Sequence, residues 1–148
     1  MVKPFIVKKG ANDAFFWNID SNVGLNSPNK LEDVQLVQFG YFALGQNPKT
    51  DPAEKPVYAA VQPGAAYSGG QNDPLTKAIL LHQKTRGGTQ DGHVSVIKGS
   101  GIYDGKNTFM LIALDNNILD LTRDYPRIDK HAKCPAALKA AVLRTFRF

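Results

Sequence analysis

Leu31, Val34, Val37, Tyr41 and Leu44 recur at steps of three and four residues, the spacing that lines one face of an α-helix. The pattern predicts a helix over residues 30–44. The Gly, Asn, Ser and Pro of the run 23–29 mark its entry, Asn29 stands where a cap can receive the first-turn amides, and Glu32 and Asp33 suit the positive end of the helix dipole. Leu75, Ala78, Ile79 and His82 share a second such face. Asp73 stands ready to cap that helix, Pro74 occupies its first turn, and Gly87-Gly88 supplies the left-handed residue that ends it near Arg86. At the front of the chain, Phe5 to Val7 and Ala14 to Ile19 predict two strands around Gly10-Ala11-Asn12-Asp13, a hairpin. Val94 and Val96 alternate as a short strand or extended bridge. The run Phe109 to Leu114 is apolar without a break, so its period does not assign it. Leu111, Leu114, Ile118 and Leu121 favour a helix over 108–121 capped by Asn107 or Thr108, with strand as the rival. A terminal helix over 135–146 would bury Leu138, Ala141, Val142 and Phe146.

Between the first two helices, residues 45–72 hold Pro48, Pro52, Pro56 and Pro63 with three further glycines. This predicts a loop with an extended piece at 57–61. A connection of that length is either a substrate-facing flap carrying Tyr58 and Tyr67 or an ordinary surface excursion. The expected fold is thus mainly α: three or four helices around one core, with a small N-terminal hairpin and long loops. At 148 residues and 43% apolar content the chain suits one domain.

Charge and cysteine usage narrow the function. The net charge of +5 favours an anionic partner, but the basic residues are scattered and form no stripe, which argues against nucleic acid. A single cysteine, Cys134, makes no internal disulfide. No apolar run approaches the ~20 residues that cross a bilayer, and the first ten residues lack the features of a secretory signal. Localisation therefore stays open between the cytoplasm and a signal-independent route to the periplasm or beyond.

The two helical segments carry linked half-motifs. The first is Asp33-Val34-x-x-Val37-Gln38-x-x-Tyr41-x-x-Leu44-Gly45; the second is Ala78-Ile79-x-x-His82-Gln83-x-x-x-Gly87-x-x-x-Asp91-Gly92-x-Val94. Together they resemble the peptidoglycan-binding domain family, whose helices read Asp-Val-x-x-Leu-Gln-x-x-Leu-x-x-Leu-Gly and Ala-Val-x-x-Phe-Gln-x-x-x-Gly-Leu-x-x-Asp-Gly-x-Val-Gly. Asp33, Gln38, Gly45, Gln83, Gly87, Asp91 and Gly92 fall on the family's positions as its structural motif. His82 replaces a phenylalanine, Gly88 a leucine and Ser95 a glycine. The likeness covers 22–95 with an insertion at 46–72, and 96–148 follows as a divergent extension packing on the same core. The layout from Val23-Gly24 onward is similar to a bacterial subgroup found beside type VI secretion components.

The resemblance implies noncatalytic binding of peptidoglycan or a muropeptide, without cofactor or metal. A secretion-system or cell-wall protein is the further partner it suggests. For such a ligand, Lys84, Arg86 and His93 near the second helix terminus offer polar and positive groups, and Tyr67 or Tyr103 a ring. Gln38 and Gln83 read first as braces between helix ends and loops, and Asp91-Gly92 as a turn whose glycine takes a positive φ. Two rivals remain: an adaptor that keeps the scaffold without the glycan site, and a small secreted toxin or cell-wall hydrolase. The chemistry for the latter is thin. Cys134 lies three positions from His131 outside any nucleophile motif, the three histidines lack close metal-ligand spacing, and no glycine-rich segment fits a phosphate loop.

Overall fold

A computed structural model describes residues 1–9, 12–99 and 109–146. The chain opens with an antiparallel hairpin, β1 (Lys3–Lys9) and β2 (Asn12–Asn18), in register from Lys3 opposite Asn18 to Lys9 opposite Asn12. β3 (Val23–Gly24) precedes α1 (Leu31–Gln46). α2 (Lys55–Ala59), α3 (Pro74–Thr85), β4 (His93–Val94), α4 (Met110–Leu121) and α5 (Ala136–Thr145) follow, with a 3-10 turn at Ile128–Lys130 before α5. β3 and β4 pair antiparallel as a second, two-residue ladder. The fold is mainly α with minor β, as the pattern predicts, and α4 is a helix rather than a strand.

α1 is the centre of the molecule. Every residue from Asp33 to Tyr41 is buried, because α4, α2, α5, α3 and β3 pack around it. Its apolar positions therefore mark one face of a helix that has no solvent face, and Leu31, expected in the core, is 64% exposed at the entry. Gly40 lets α4 approach: a Cβ there would lie 2.8 Å from Leu114 Cβ. Gly45 does the same for α2, since a Cβ would lie 2.8 Å from the Ala59 backbone nitrogen. Gly45 is thus no helix stop, and α1 runs one residue beyond it.

Polar side chains fasten the loops to this centre. The fully buried Asp33 accepts from the Asp20 and Ser21 amides, each at 3.1 Å, at the dipole-positive start of α1. Asn29 does not cap α1. It holds φ +52° and closes the preceding turn instead, accepting from Gly24 N at 2.7 Å and donating to Gly24 O at 2.9 Å. Asn is one of the few residues that tolerates this conformation, and its side chain cannot serve both turn and helix. Val94 continues into an extended segment whose polar groups go to side chains: Asn18 donates to Ile97 O and accepts from Ile97 N, and Asn22 accepts from Val96 N. On the far side, Gln35 Oε1 accepts from Leu138 N at 2.9 Å and so caps α5 from another helix.

The 45–72 connection is partly ordered as α2, with Pro56 in its first turn, so the expected extended piece at 57–61 is helical through Ala59. Tyr58 is buried at 2% exposure, stacked on Tyr41 at a ring separation of 5.7 Å. It is a core residue and not the tip of a flap. The hairpin docks through Trp17, which is fully buried and donates its indole N–H to Pro126 O at 2.9 Å, with Phe15, Tyr125 and Phe146 edge-on or stacked around it.

One core group is out of balance. Asp115 on α4 is 1% exposed, and neither carboxylate oxygen has a hydrogen-bond partner among the described residues. Burial pushes its pKa well above the ordinary value, an effect that the nearby Trp17 amide offsets only in part. The folded protein therefore keeps this proton longer than the unfolded chain, so the associated stability is present below about pH 4 and is lost as pH rises through the raised value. Asp115→Leu is expected to raise unfolding stability at pH 7 by about 1–3 kcal/mol, the cost of a buried unsatisfied polar group, with a smaller gain at pH 4. Urea unfolding at the two pH values checks both the sign and the trend.

Candidate functional site

α3 ends as its sequence dictates. Asp73 Oδ1 accepts from Leu75 N at 2.9 Å at the start, and at the finish Gly87 takes φ +73° while Gly88 N donates to Gln83 O at 3.2 Å. Gln83 then braces the turn that follows. Its Nε2 donates to Asp91 Oδ1 (2.7 Å) and His93 O (3.0 Å), and its Oε1 accepts from Gly92 N (2.9 Å). Asp91 Oδ1 also receives His93 N at 3.2 Å, and Gly92 holds φ +77°. Gln38 braces the loop after α2 in the same manner, donating to Ala65 O at 2.8 Å and accepting from Gly64 N at 3.0 Å. Both amides spend donor and acceptor on backbone, leaving the chemistry to their neighbours.

The Gln83 brace forms one wall of a cleft of about 210 Å³ that Arg86 and His93 line together, with Thr89, Ser95, Phe109 and Met110. His93 Nε2 lies 3.4 Å from Asp91 Oδ2, so the acid is engaged on both oxygens. Arg86 closes α3 at its electronegative end. The other expected ligand contacts fall elsewhere. Lys84 is exposed and does not line this cleft. Tyr67 hydrogen-bonds Thr76 Oγ1 at 2.6 Å and lines a separate groove of about 330 Å³ beside Leu31 and Val34. Tyr103 lies outside the described residues, as do Asn107 and Thr108.

Arg86 also borders a second cleft, of about 300 Å³, between the end of α1, α2 and the last turn of α3. Its floor is aromatic. Tyr58 donates its hydroxyl to Glu54 Oε1 at 3.2 Å, and burial pushes that phenol well above its ordinary value. Tyr41, fully buried, hydrogen-bonds His82 Nδ1 at 3.0 Å. Burial, reinforced by the Arg86 charge, lowers His82 to about 4, so the imidazole is neutral at physiological pH. His82 packs edge-on against Tyr41 and Tyr58, filling a phenylalanine's volume with one nitrogen engaged. The rim carries Asn47 and Asn117, joined Nδ2 to Oδ1 at 2.9 Å across 70 residues of chain. No sequence pattern could have paired these two. The only local hint was an asparagine just beyond a helix.

Cys134 and His131 do not form a nucleophilic pair. The thiol faces Pro135 O at 3.8 Å, burial raises it to about 12, and His131 Nδ1 accepts from Lys133 N while its ring packs on Phe39 and Phe42. Among the described residues no three His, Cys, Asp or Glu side chains gather as metal ligands, and no helix is long and apolar enough to cross a membrane. Comparison of the chain with protein-family models, with curated proteins and with solved structures finds no match.

Proposed function

We propose that this chain is a noncatalytic module that binds bacterial cell-wall peptidoglycan or its muropeptides. The observation that carries the reading is the cleft at the end of α3, lined by Arg86 at the helix terminus and by His93 on the turn that Gln83 braces. Stem peptides end in carboxylates, and a guanidinium is the side chain best matched to them, through two parallel charge-assisted hydrogen bonds. Phe109 and Met110 offer apolar contact for the peptide's alanine-like side chains, and Thr89 and Ser95 offer hydroxyls to its amides. The second of the two half-motifs that suggest a wall module builds one side of this cleft, through the end of α3 and the Asp91-Gly92 turn.

Cosedimentation with purified insoluble peptidoglycan tests the reading. The protein is expected in the pellet at low salt and increasingly in the supernatant as salt screens the Arg86 contact. Arg86→Gln together with His93→Ala should weaken binding by about tenfold or more, as expected for losing charge-assisted hydrogen bonds. Protein that stays in the supernatant at low salt would favour the adaptor. Loss of turbidity would identify a hydrolase.

A further inference from the structure

We infer that the second cleft, between the end of α1, α2 and α3, is a binding site for a neutral, polyhydroxylated ligand, a saccharide, distinct from the carboxylate-binding cleft. Lys49 and Arg86 on its lining are balanced by Asp51 and Glu54, and His82 is uncharged at neutral pH, so the cleft selects no ion of either sign. Such a surface instead presents both acceptors and donors, which complements hydroxyl groups, since each can give and receive a hydrogen bond. The lining supplies acceptors at the two carboxylates and at the Thr50 and Thr85 hydroxyl oxygens, whose protons go to Leu44 O and His82 O, and donors at Lys49 and at the second amide N–H of Asn117, whose first goes to Ala113 O. Its volume of about 300 Å³ stands at the lower end of small-ligand sites.

The geometry also gives the site a direction. Asn47 and Asn117 line a further depression of about 80 Å³ beside Gln46, Pro48, Leu121 and the Asp120 carboxylate, so the groove continues past the asparagine bridge along the α1–α4 seam. A chain of sugar units fits such a groove better than a single ring. At the other end, Arg86 borders both this groove and the cleft of Gln83 and His93, placing the two sites side by side. The choice of an N-acetyl sugar as probe rests on the wall-binding reading, whereas the neutral polyhydroxyl class follows from the lining alone.

The test is titration of the full chain with the soluble β-1,4-linked tetramer of N-acetylglucosamine, followed by amide chemical shifts and by calorimetry. Saturable binding is expected, with shifts centred on Thr50, Thr85 and Asn117 and an affinity unchanged by salt, since the ligand has no charge to screen. Thr85 is exposed on the last turn of α3, with its hydroxyl on His82 O, so Thr85→Trp should fill the cleft and weaken binding by about tenfold or more, its urea midpoint being recorded to show that it is folded. Asn117→Ala, with its urea midpoint recorded, gives a second reading of the bridge. Absence of saturable shifts, or full affinity in folded Thr85→Trp, overturns the inference. If insoluble peptidoglycan is still pelleted in that case, the wall-binding reading survives alone. If the tetramer binds and is blocked while the wall material is ignored, the saccharide site stands and the wall reading falls.

Discussion

Replacing His82 by phenylalanine is expected to remove most of the acid lability of this protein between pH 6.5 and 4. His82 is displaced from its ordinary value of 6.5 to about 4 because it is buried beside Tyr41, Tyr58 and the Arg86 charge. A depressed histidine means that the unfolded chain takes up a proton that the folded protein refuses. The stability is therefore whole above pH 6.5 and declines as pH falls toward 4, by about 3 kcal/mol for a displacement of this size. The phenylalanine variant loses this slope and keeps only the smaller one of His131, which burial also lowers. At pH 7 it should be the weaker protein, by about 1–3 kcal/mol, because the Tyr41 hydroxyl loses its partner at Nδ1. At pH 4 the order should close or reverse. Adding Tyr41→Phe removes the orphaned hydroxyl and should recover part of the loss at pH 7. Asp115 acts in the opposite sense over the same range, so the comparison of variant with parent, which share Asp115, isolates the histidine. Urea midpoints at pH 4, 5.5 and 7 decide the matter, and parallel curves for parent and variant would refute it.

The second large effect belongs to Gly24. Its φ is +128°, and a Cβ placed there would lie 2.1 Å from the Gly92 carbonyl oxygen and 2.7 Å from the His93 Cα. Both obstacles are backbone, so no side-chain rotation relieves them, and Gly24→Ala must part β3 from β4. The expected loss is about 3 kcal/mol or more, in the range reserved for a disrupted native backbone. Gly69 is the control. It is also left-handed, at φ +77°, yet a Cβ there meets nothing within 4 Å. Gly69→Ala should cost only the conformational preference, about 1–2 kcal/mol. Equal losses in the two variants would show that handedness, and not the crowding at Gly92, governs the position.

Features set by neighbours in sequence were legible without coordinates. The start of α3 follows from Asp73 and Pro74 and its end from Gly87, because caps and stops act within a few residues of themselves. The hairpin was visible for the same reason. What the sequence concealed is non-local. α1 shows helical spacing, yet the side expected to meet water is covered by α4 and α5, which no periodicity on α1 announces. Asn29 offered two local uses, and the turn with Gly24 took it from the helix. Prolines that read as loop in 45–72 include one that opens α2, since a proline is equally at home in a first helical turn. At the candidate site, Arg86 and His93 come together because a short braced turn separates them, whereas Tyr67, nineteen positions before Arg86, is carried to another groove by α3 itself.

The cap that Gln35 places on Leu138 binds the last helix to the first. A fragment cut after residue 95 would keep both half-motifs and still be unlike the intact protein: Phe39 would lose His131, Gly40 would lose Leu114, and the Gln35 amide would face solvent with nothing to hold. Any attempt to graft this recognition unit onto another scaffold must therefore carry the chain through Thr145, because the portion that looks appended by its sequence is the lid on the middle of the molecule.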